Sequence, residues 1–388
     1  MNGDDREDGG DLQPVRFQPI GFAGSGDGAR VAVYDFGGPV GAPPLLLAHA
    51  TGFHARTWLP VVAGLRDRFR CYAFDERAHG DSPGPPPEAG PEWFDWHRFA
   101  DDALAVVDHL GLDAPFAVGH SCGGALLLLA DLARPGTFRS IYCFEPVVPP
   151  IDDPPTEPVG SPLAHGARRR REEFDSFDAA LANFAAKPPM SGFAPEALDA
   201  YVRYGFEPVY TGASDAHAGD EARAGKRGAE PGAVEPGAET LAGEPGAETA
   251  GDEPRAGEPD AEPGAEPGAG EPVDEPRAGE PGAAEPGAEP GAGGGAPTCV
   301  RLKCRGEYEA RTYEAAAMHG AYRRLAEVGC PVTLACGELT TAFGEDVMRL
   351  AAARLPHARV EVLPGLTHFG PFEAPAALTA RILHAFAP

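Results

Sequence analysis

The chain has 388 residues, with 32 Lys plus Arg against 59 Asp plus Glu and a formal net charge of −27. That sign argues against nucleic acid as the main partner. No uninterrupted apolar run approaches the roughly 18 residues of a membrane-spanning helix. The start, Met1 to Asp11, lacks the basic and apolar regions of a Sec signal peptide. Seven scattered cysteines, Cys71, Cys122, Cys143, Cys299, Cys304, Cys330 and Cys336, suit reduced thiols and a cytoplasmic location better than a disulfide framework. Cys299 and Cys304 have no second Cys or His pair nearby, so no metal site is expected.

In chain order, Val15–Phe22 and Val31–Phe36 read as a leading hairpin turning at Gly24–Gly28. Leu45–Ala48 is an apolar run suited to a strand buried on both faces. Trp58–Leu65 reads as a helix and Cys71–Phe74 as the next strand. Phe99, Ala103, Val106, Val107 and Leu110 recur at helical spacing. Phe116–Val118 is a strand, Ala125–Leu132 a helix and Ile141–Phe144 another strand. Phe174–Phe184, Pro195–Phe206 and Tyr308–Leu325 read as amphipathic helices of an insertion without buried strands. Val332–Ala335 (strand), Val347–Leu355 (helix), Val360–Leu363 (strand) and Ala376–Phe386 (helix) close the chain. This alternation predicts an α/β fold with a mostly parallel sheet and helices on both faces.

Residues 212–297 stand apart. They hold 20 acidic and 5 basic residues, 20 Gly, 13 Pro and no aromatic residue, and their only large aliphatics are Val234, Leu241 and Val273. So little apolar surface cannot offset the entropy of ordering, and a disordered Glu/Pro/Gly/Ala-rich insert is predicted. The short Glu-Pro-Gly-Ala repeat, as in Glu262–Ala265 and Glu266–Ala269, is too polar and irregular to stack as a solenoid. The other 302 residues carry a net −12. The expected division is a tail over 1–14, a core over 15–146 and 331–388, and a lid over 147–330 that contains the insert. The insert is read as tuning solubility or lid motion, or as an interaction tail. The basic run Arg168–Arg171 is read as a solvated face or as pairing with Glu172 and Glu173.

Gly119-His120-Ser121-Cys122-Gly123 matches G-x-S-x-G where a strand ends and a helix begins. A turn that sharp strains the serine backbone, and flanking glycines remove side chains that would collide. The Ser121 hydroxyl then stands at the C-terminal edge of the sheet. It needs a base. His368, on a loop beyond the last predicted strand, can reach that edge. His120 points away across a tight turn, and His49 is read as shaping the loop after its own strand.

The chain resembles the α/β-hydrolase-fold family with a helical lid. The matching pieces are His49-Ala50-Thr51-Gly52, Asp75-Glu76-Arg77-Ala78-His79-Gly80-Asp81-Ser82, the serine turn, and His368-Phe369-Gly370-Pro371-Phe372-Glu373-Ala374-Pro375. Ala50 and Ala78 stand where the family usually has Gly. The family also often places its acid in a Gly-x-x-Asp turn. Here that turn is Gly337-Glu338-Leu339-Thr340, with Thr in the acid position.

Glu145 offers a replacement. It ends the strand Ile141–Phe144, and adjacent parallel strands deliver their ends to one edge. Glu145 is therefore expected beside Ser121 and within reach of His368, with Glu338 as the alternative. Certain haloalkane dehalogenases resemble this arrangement. The resemblance implies an oxyanion hole from the backbone N–H groups of Thr51 and Cys122, with Phe53 as the alternative. The Cys122 thiol is expected to turn into helix packing.

Lid residues Phe174, Phe177, Phe184, Met190, Phe193, Tyr201, Tyr204, Met318 and Tyr322 are expected to roof a pocket for an apolar or aromatic group. The expected activity is serine hydrolysis of a small ester or thioester through an acyl-enzyme, with a small-molecule substrate and no cofactor. The same residues serve carbon–carbon bond hydrolysis and acyl transfer. A serine at position 121 in place of Asp argues against epoxide or haloalkane hydrolysis. A non-catalytic binding protein on the same fold is the rival, favoured by Thr340.

Overall fold

The computed structural model describes residues 12–13, 15–210 and 297–387. The insert expected over 212–297 lies outside the described residues except for Pro297. So does the tail expected over 1–14, except for Leu12 and Gln13.

The chain opens with β1 (Leu12–Gln13), β2 (Gly21–Gly24) and β3 (Arg30–Pro39), and both short strands pair antiparallel with β3. The expected hairpin is thus present, but its first strand begins at Gly21 instead of Val15. Next come β4 (Pro44–Ala48), α1 (Leu59–Leu65), β5 (Arg70–Phe74), α2 (Trp96–Leu110), β6 (Phe116–His120), α3 (Cys122–Ala133) and β7 (Ser140–Phe144).

The segment expected to form a lid contributes α4 (Pro162–Arg169), β8 (Glu173–Phe174), α5 (Phe177–Ala185), α6 (Pro195–Gly205), β9 (Phe206–Val209), β10 (Cys299–Leu302), α7 (Gly306–Ala315) and α8 (Ala321–Arg324). The chain closes with β11 (Val332–Gly337), α9 (Glu345–Ala352), β12 (Ala358–Leu363), α10 (Gly370–Glu373) and α11 (Pro375–Ala385). The main sheet runs β1-β3-β5-β4-β6-β7-β11-β12, with β2 also on β3. Every pairing from β5 to β12 is parallel.

The apolar runs of the strands serve two cores at once. Leu46, Ala117, Ile141 and Cys143 join one cluster with residues of α2, α3 and α9. Leu45, Leu47, Val118, Tyr142 and Phe144 join the other with α1 and α11. Because side chains alternate faces along a strand, a sheet covered on both sides needs an unbroken apolar run.

The lid departs from expectation in three places. It holds a three-stranded sheet, β8-β10-β9, in a region predicted to be helical only. Its strands are two to four residues long and find their partners far along the chain: Val209 pairs with Cys299 across the acidic tract. No local periodicity encodes such a pairing. Phe174 lies in β8, and the helix expected there starts only at Phe177, where the Ser176 side chain accepts from Ala179 N–H. The helix expected over Tyr308–Leu325 is broken into α7 and α8, with Gly320 at φ 59° between them. Tyr322, in α8, packs into the core cluster around α3, and Met318 packs against it; neither joins the lid cluster.

Candidate active site

The turn between β6 and α3 carries Ser121 at φ 53° and ψ −115°, a conformation that a non-glycine residue enters at a cost. Three contacts impose it. Ser121 N–H donates to Phe144 O at 2.9 Å, Gly123 N–H donates to His49 O at 3.0 Å, and Val147 N–H donates to Ser121 O at 3.2 Å. Both flanking glycines are required by space: a Cβ on Gly119 would lie 2.5 Å from Gly124 N, and one on Gly123 would lie 2.4 Å from Ala48 O. Ser121 is 8% exposed.

The loop after β4 is built around two buried side chains. His49 Nε2 accepts from Glu76 N–H at 2.9 Å, so Nδ1 carries the proton that goes to Ala50 O at 2.8 Å. Burial, with His79 alongside, drives its pKa well below the usual imidazole range and keeps the ring neutral. Asp75 Oδ1 accepts from Ala55 N–H at 2.7 Å, and its Oδ2 accepts from Asp81 N–H at 2.7 Å and Tyr34 O–H at 2.6 Å. The two motif loops are thereby laced together. Ala78 adopts φ 63°, in the left-handed region that favours glycine, at a position where the resemblance expects Gly. Phe53 N–H is committed to Ala50 O at 3.1 Å, whereas Thr51 and Cys122 N–H have no backbone acceptor among the described residues. The Cys122 side chain is fully buried beside Glu76, and burial raises both the thiol and the Glu76 carboxyl well above their ordinary pKa values.

His368 and Glu145 meet. His368 Nδ1 lies 2.7 Å from Glu145 Oε2, and Glu145 is fully buried at the end of β7 with φ 45°. Its N–H continues the ladder to Ala335 O at 2.8 Å. Its Oε1 accepts from Gly337 N–H at 2.9 Å and its Oε2 from the Thr340 hydroxyl at 2.8 Å. A carboxylate taken out of water needs such donors to offset its desolvation. Glu338, the alternative, is exposed and accepts from Gly365 N–H at 2.9 Å.

Two contributors were not foreseen in these roles. His120 is buried and donates from Nε2 to His368 O at 2.8 Å, its ring 4.9 Å from that of His368, so it braces the loop that carries His368. Thr340, in the slot where the resemblance expects an acid, donates to Glu145. Its place in the Gly-x-x-Asp slot was the available signal.

Above this edge sits a cluster of rings. Phe53 stacks on Phe372 at 4.5 Å, and Phe193 lies 5.1 Å from Phe372 and 5.7 Å from Phe369. Phe174, Phe177, Phe184, Met190 and Tyr201 belong to the same cluster, with Phe174 and Tyr201 wholly buried. Tyr204 leaves it to stack on Phe17. The basic run also differs from its expected pairing. Arg168 reaches Glu307 and Glu314, and Arg170 is ion-paired to Glu309 and donates to Tyr201 Oη at 2.6 Å; only Arg171 turns to Glu173, donating to its carbonyl at 2.6 Å. Glu309 lies against Gly52, where a Cβ would fall 2.7 Å from Oε1.

Residues 43–183 match the model of the α/β-hydrolase fold family. A probable oxidoreductase, EphD, of Mycobacterium tuberculosis is 33% identical over 140 residues, which are 36% of this chain and 23% of that protein. A bifunctional esterase/perhydrolase, DCH, of Acinetobacter calcoaceticus is 32% identical over 109 residues, 27% of this chain and 36% of that protein. The chain thus spans between about a quarter and just over half of the length of the curated relatives it matches. Among solved structures, E-2-(acetamidomethylene)succinate hydrolase superposes with a TM-score of 0.59 at 17% identity. That match covers 96% of this chain and 98% of the other, a likeness of fold.

Proposed function

We propose that this chain, which has the α/β-hydrolase fold and matches that family's model over residues 43–183, is a serine hydrolase of small esters or thioesters with an apolar or aromatic group. The observation that carries this reading is the 2.7 Å contact between His368 Nδ1 and Glu145 Oε2, because an ionisable acid on that nitrogen supplies what Thr340 cannot. In this reading Ser121 Oγ attacks the substrate carbonyl while His368 Nε2 takes the hydroxyl proton. Glu145 holds the ring by Nδ1 and stabilises the imidazolium that forms. The Thr51 and Cys122 N–H groups, the latter at the start of α3, receive the oxyanion. His368 then protonates the leaving group, and water, activated by the same ring, releases the acid from Ser121. Cys122 takes no part as a nucleophile, since its thiol is buried and held protonated. The ring cluster of Phe53, Phe193, Phe369 and Phe372 supports an apolar substrate group, and the esterase name carried by one relative supports ester chemistry.

A fluorophosphonate probe tests the reading. The wild-type chain is expected to label and the Ser121→Ala variant to lose labelling. A folded wild type that does not label would leave the rival, a binding protein on the same fold, as the better account.

A further inference from the structure

Thr340 is the residue where the family's usual acid is missing, yet its hydroxyl is engaged on both sides. Ala342 N lies 3.2 Å from Oγ1, and Glu145 Oε2 lies 2.8 Å from it. An amide N–H can only donate, so Oγ1 accepts from Ala342 and its own hydrogen is left for the carboxylate. The oxygen that receives it is the one facing His368 Nδ1. The second oxygen is held by Gly337 N–H at 2.9 Å, three residues earlier in the same turn. The Thr340 N–H itself closes that turn on Gly337 O at 3.4 Å. The turn after β11 thus grips both oxygens of a side chain that comes from β7.

Glu145 has more need of this grip than an acid in the usual place. A Glu has one more rotatable bond than an Asp, and this one rises from a backbone at φ 45°. Two donors from one rigid turn fix the plane of the carboxylate, and with it the orbital that meets the imidazole. We propose that Thr340 is a positioning residue of the catalytic machinery: its hydroxyl orients Glu145 toward His368, so the vacated acid slot has become the support of the relocated acid. The inference rests on the serine-hydrolase reading above. Thr340 acts through Glu145 and touches no reacting atom.

The experiment compares wild type, Thr340→Ser, Thr340→Val and Glu145→Gln for turnover of p-nitrophenyl acetate, with thermal unfolding midpoints measured on each. Valine keeps the shape of threonine and removes the hydroxyl; serine keeps the hydroxyl. Loss of one hydrogen bond to a charged acceptor is expected to lower kcat about tenfold in Thr340→Val, with KM held within about twofold. Thr340→Ser should stay within about twofold of wild type in kcat. Wild-type kcat in Thr340→Val, or equal losses in the Val and Ser variants, overturns the proposal while an inactive Glu145→Gln leaves the triad reading intact. A wild type without turnover, or an active Glu145→Gln, overturns that reading itself. Thr340 is only half-buried, and if the valine variant does not fold, Thr340→Ala carries the same test.

Discussion

The C-terminal edge of the main sheet and the lid segment above it hold their shapes by different means. At the edge, Ala78, Ser121 and Glu145 all take positive φ, three of the four non-glycine residues that do so among the described residues. Each such residue costs of order 1–3 kcal/mol and persists only where its surroundings over-determine it. Here the surroundings are buried polar groups with fixed partners: Asp75 with three donors, Glu145 with Gly337 and Thr340, His120 on the His368 carbonyl. The lid uses ordinary means. Ser161 and Ser176 cap α4 and α5 by accepting from Ala164 and Ala179 N–H, rings pack on rings, and Arg168 pairs with Glu307 and Glu314 in solvent. Small changes at the strained edge are therefore expected to cost more than changes in the segment above it.

The largest effect on this contrast is expected at Glu145. Glu145→Gln keeps the size of the side chain and removes the charge, and kcat should fall by about 10⁴. Glu338→Gln, exposed and on the Gly365 N–H, should keep wild-type activity on the same p-nitrophenyl ester. Loss in Glu338→Gln alone reverses the assignment.

Gly123→Ala drives a methyl to within 2.4 Å of the Ala48 carbonyl, and should cost upward of about 3 kcal/mol. Ser176→Ala removes one lid cap, and should cost about 1 kcal/mol. Urea unfolding of both variants measures the gap, and equal costs would remove the distinction drawn between the two regions.

His54 joins the regions, since its Nε2 donates to the carbonyl of Tyr201 in α6 at 3.1 Å. Burial holds its pKa down to about 3, against an ordinary value of 6.5. The sign follows from which state binds the proton. Above pH 6.5 neither state is protonated there and nothing is lost. Below it the unfolded chain takes up a proton that the native ring refuses, so stability falls with pH down to about 3. The loss by pH 5.5 is about 1.4 kcal/mol. The drop in unfolding free energy from pH 7 to 5.5 should therefore shrink by about 1.3 kcal/mol in His54→Gln. An unchanged drop would mean that the ring is protonated in the native state.

Much of this was legible in order along the chain. Continuous apolar runs marked the central strands because both faces of the sheet are covered, and the run of Leu45–Ala48 lies within β4 as expected. The G-x-S-x-G turn was legible because its glycines answer a local steric demand. Glu145 was legible by a weaker route: a carboxylate at the end of a strand must emerge at the edge where its parallel neighbours end. The lid sheet was not legible, because the pairing of Val209 with Cys299 depends on two short segments that the acidic tract separates.

The −27 of the whole chain therefore hides two kinds of sequence. Composition alone sets residues 212–297 apart, and periodicity and the serine turn determine an α/β sheet with Ser121 at one edge. The sharing of the remaining polar groups is set by the fold: which carboxylate meets His368, that Thr340 holds it, and that His120 braces the loop beyond. Those are distances of about 3 Å between residues some 200 positions apart. A hydrogen bond is so short-ranged and directional that no pattern along the chain can specify it before the strands are laid side by side.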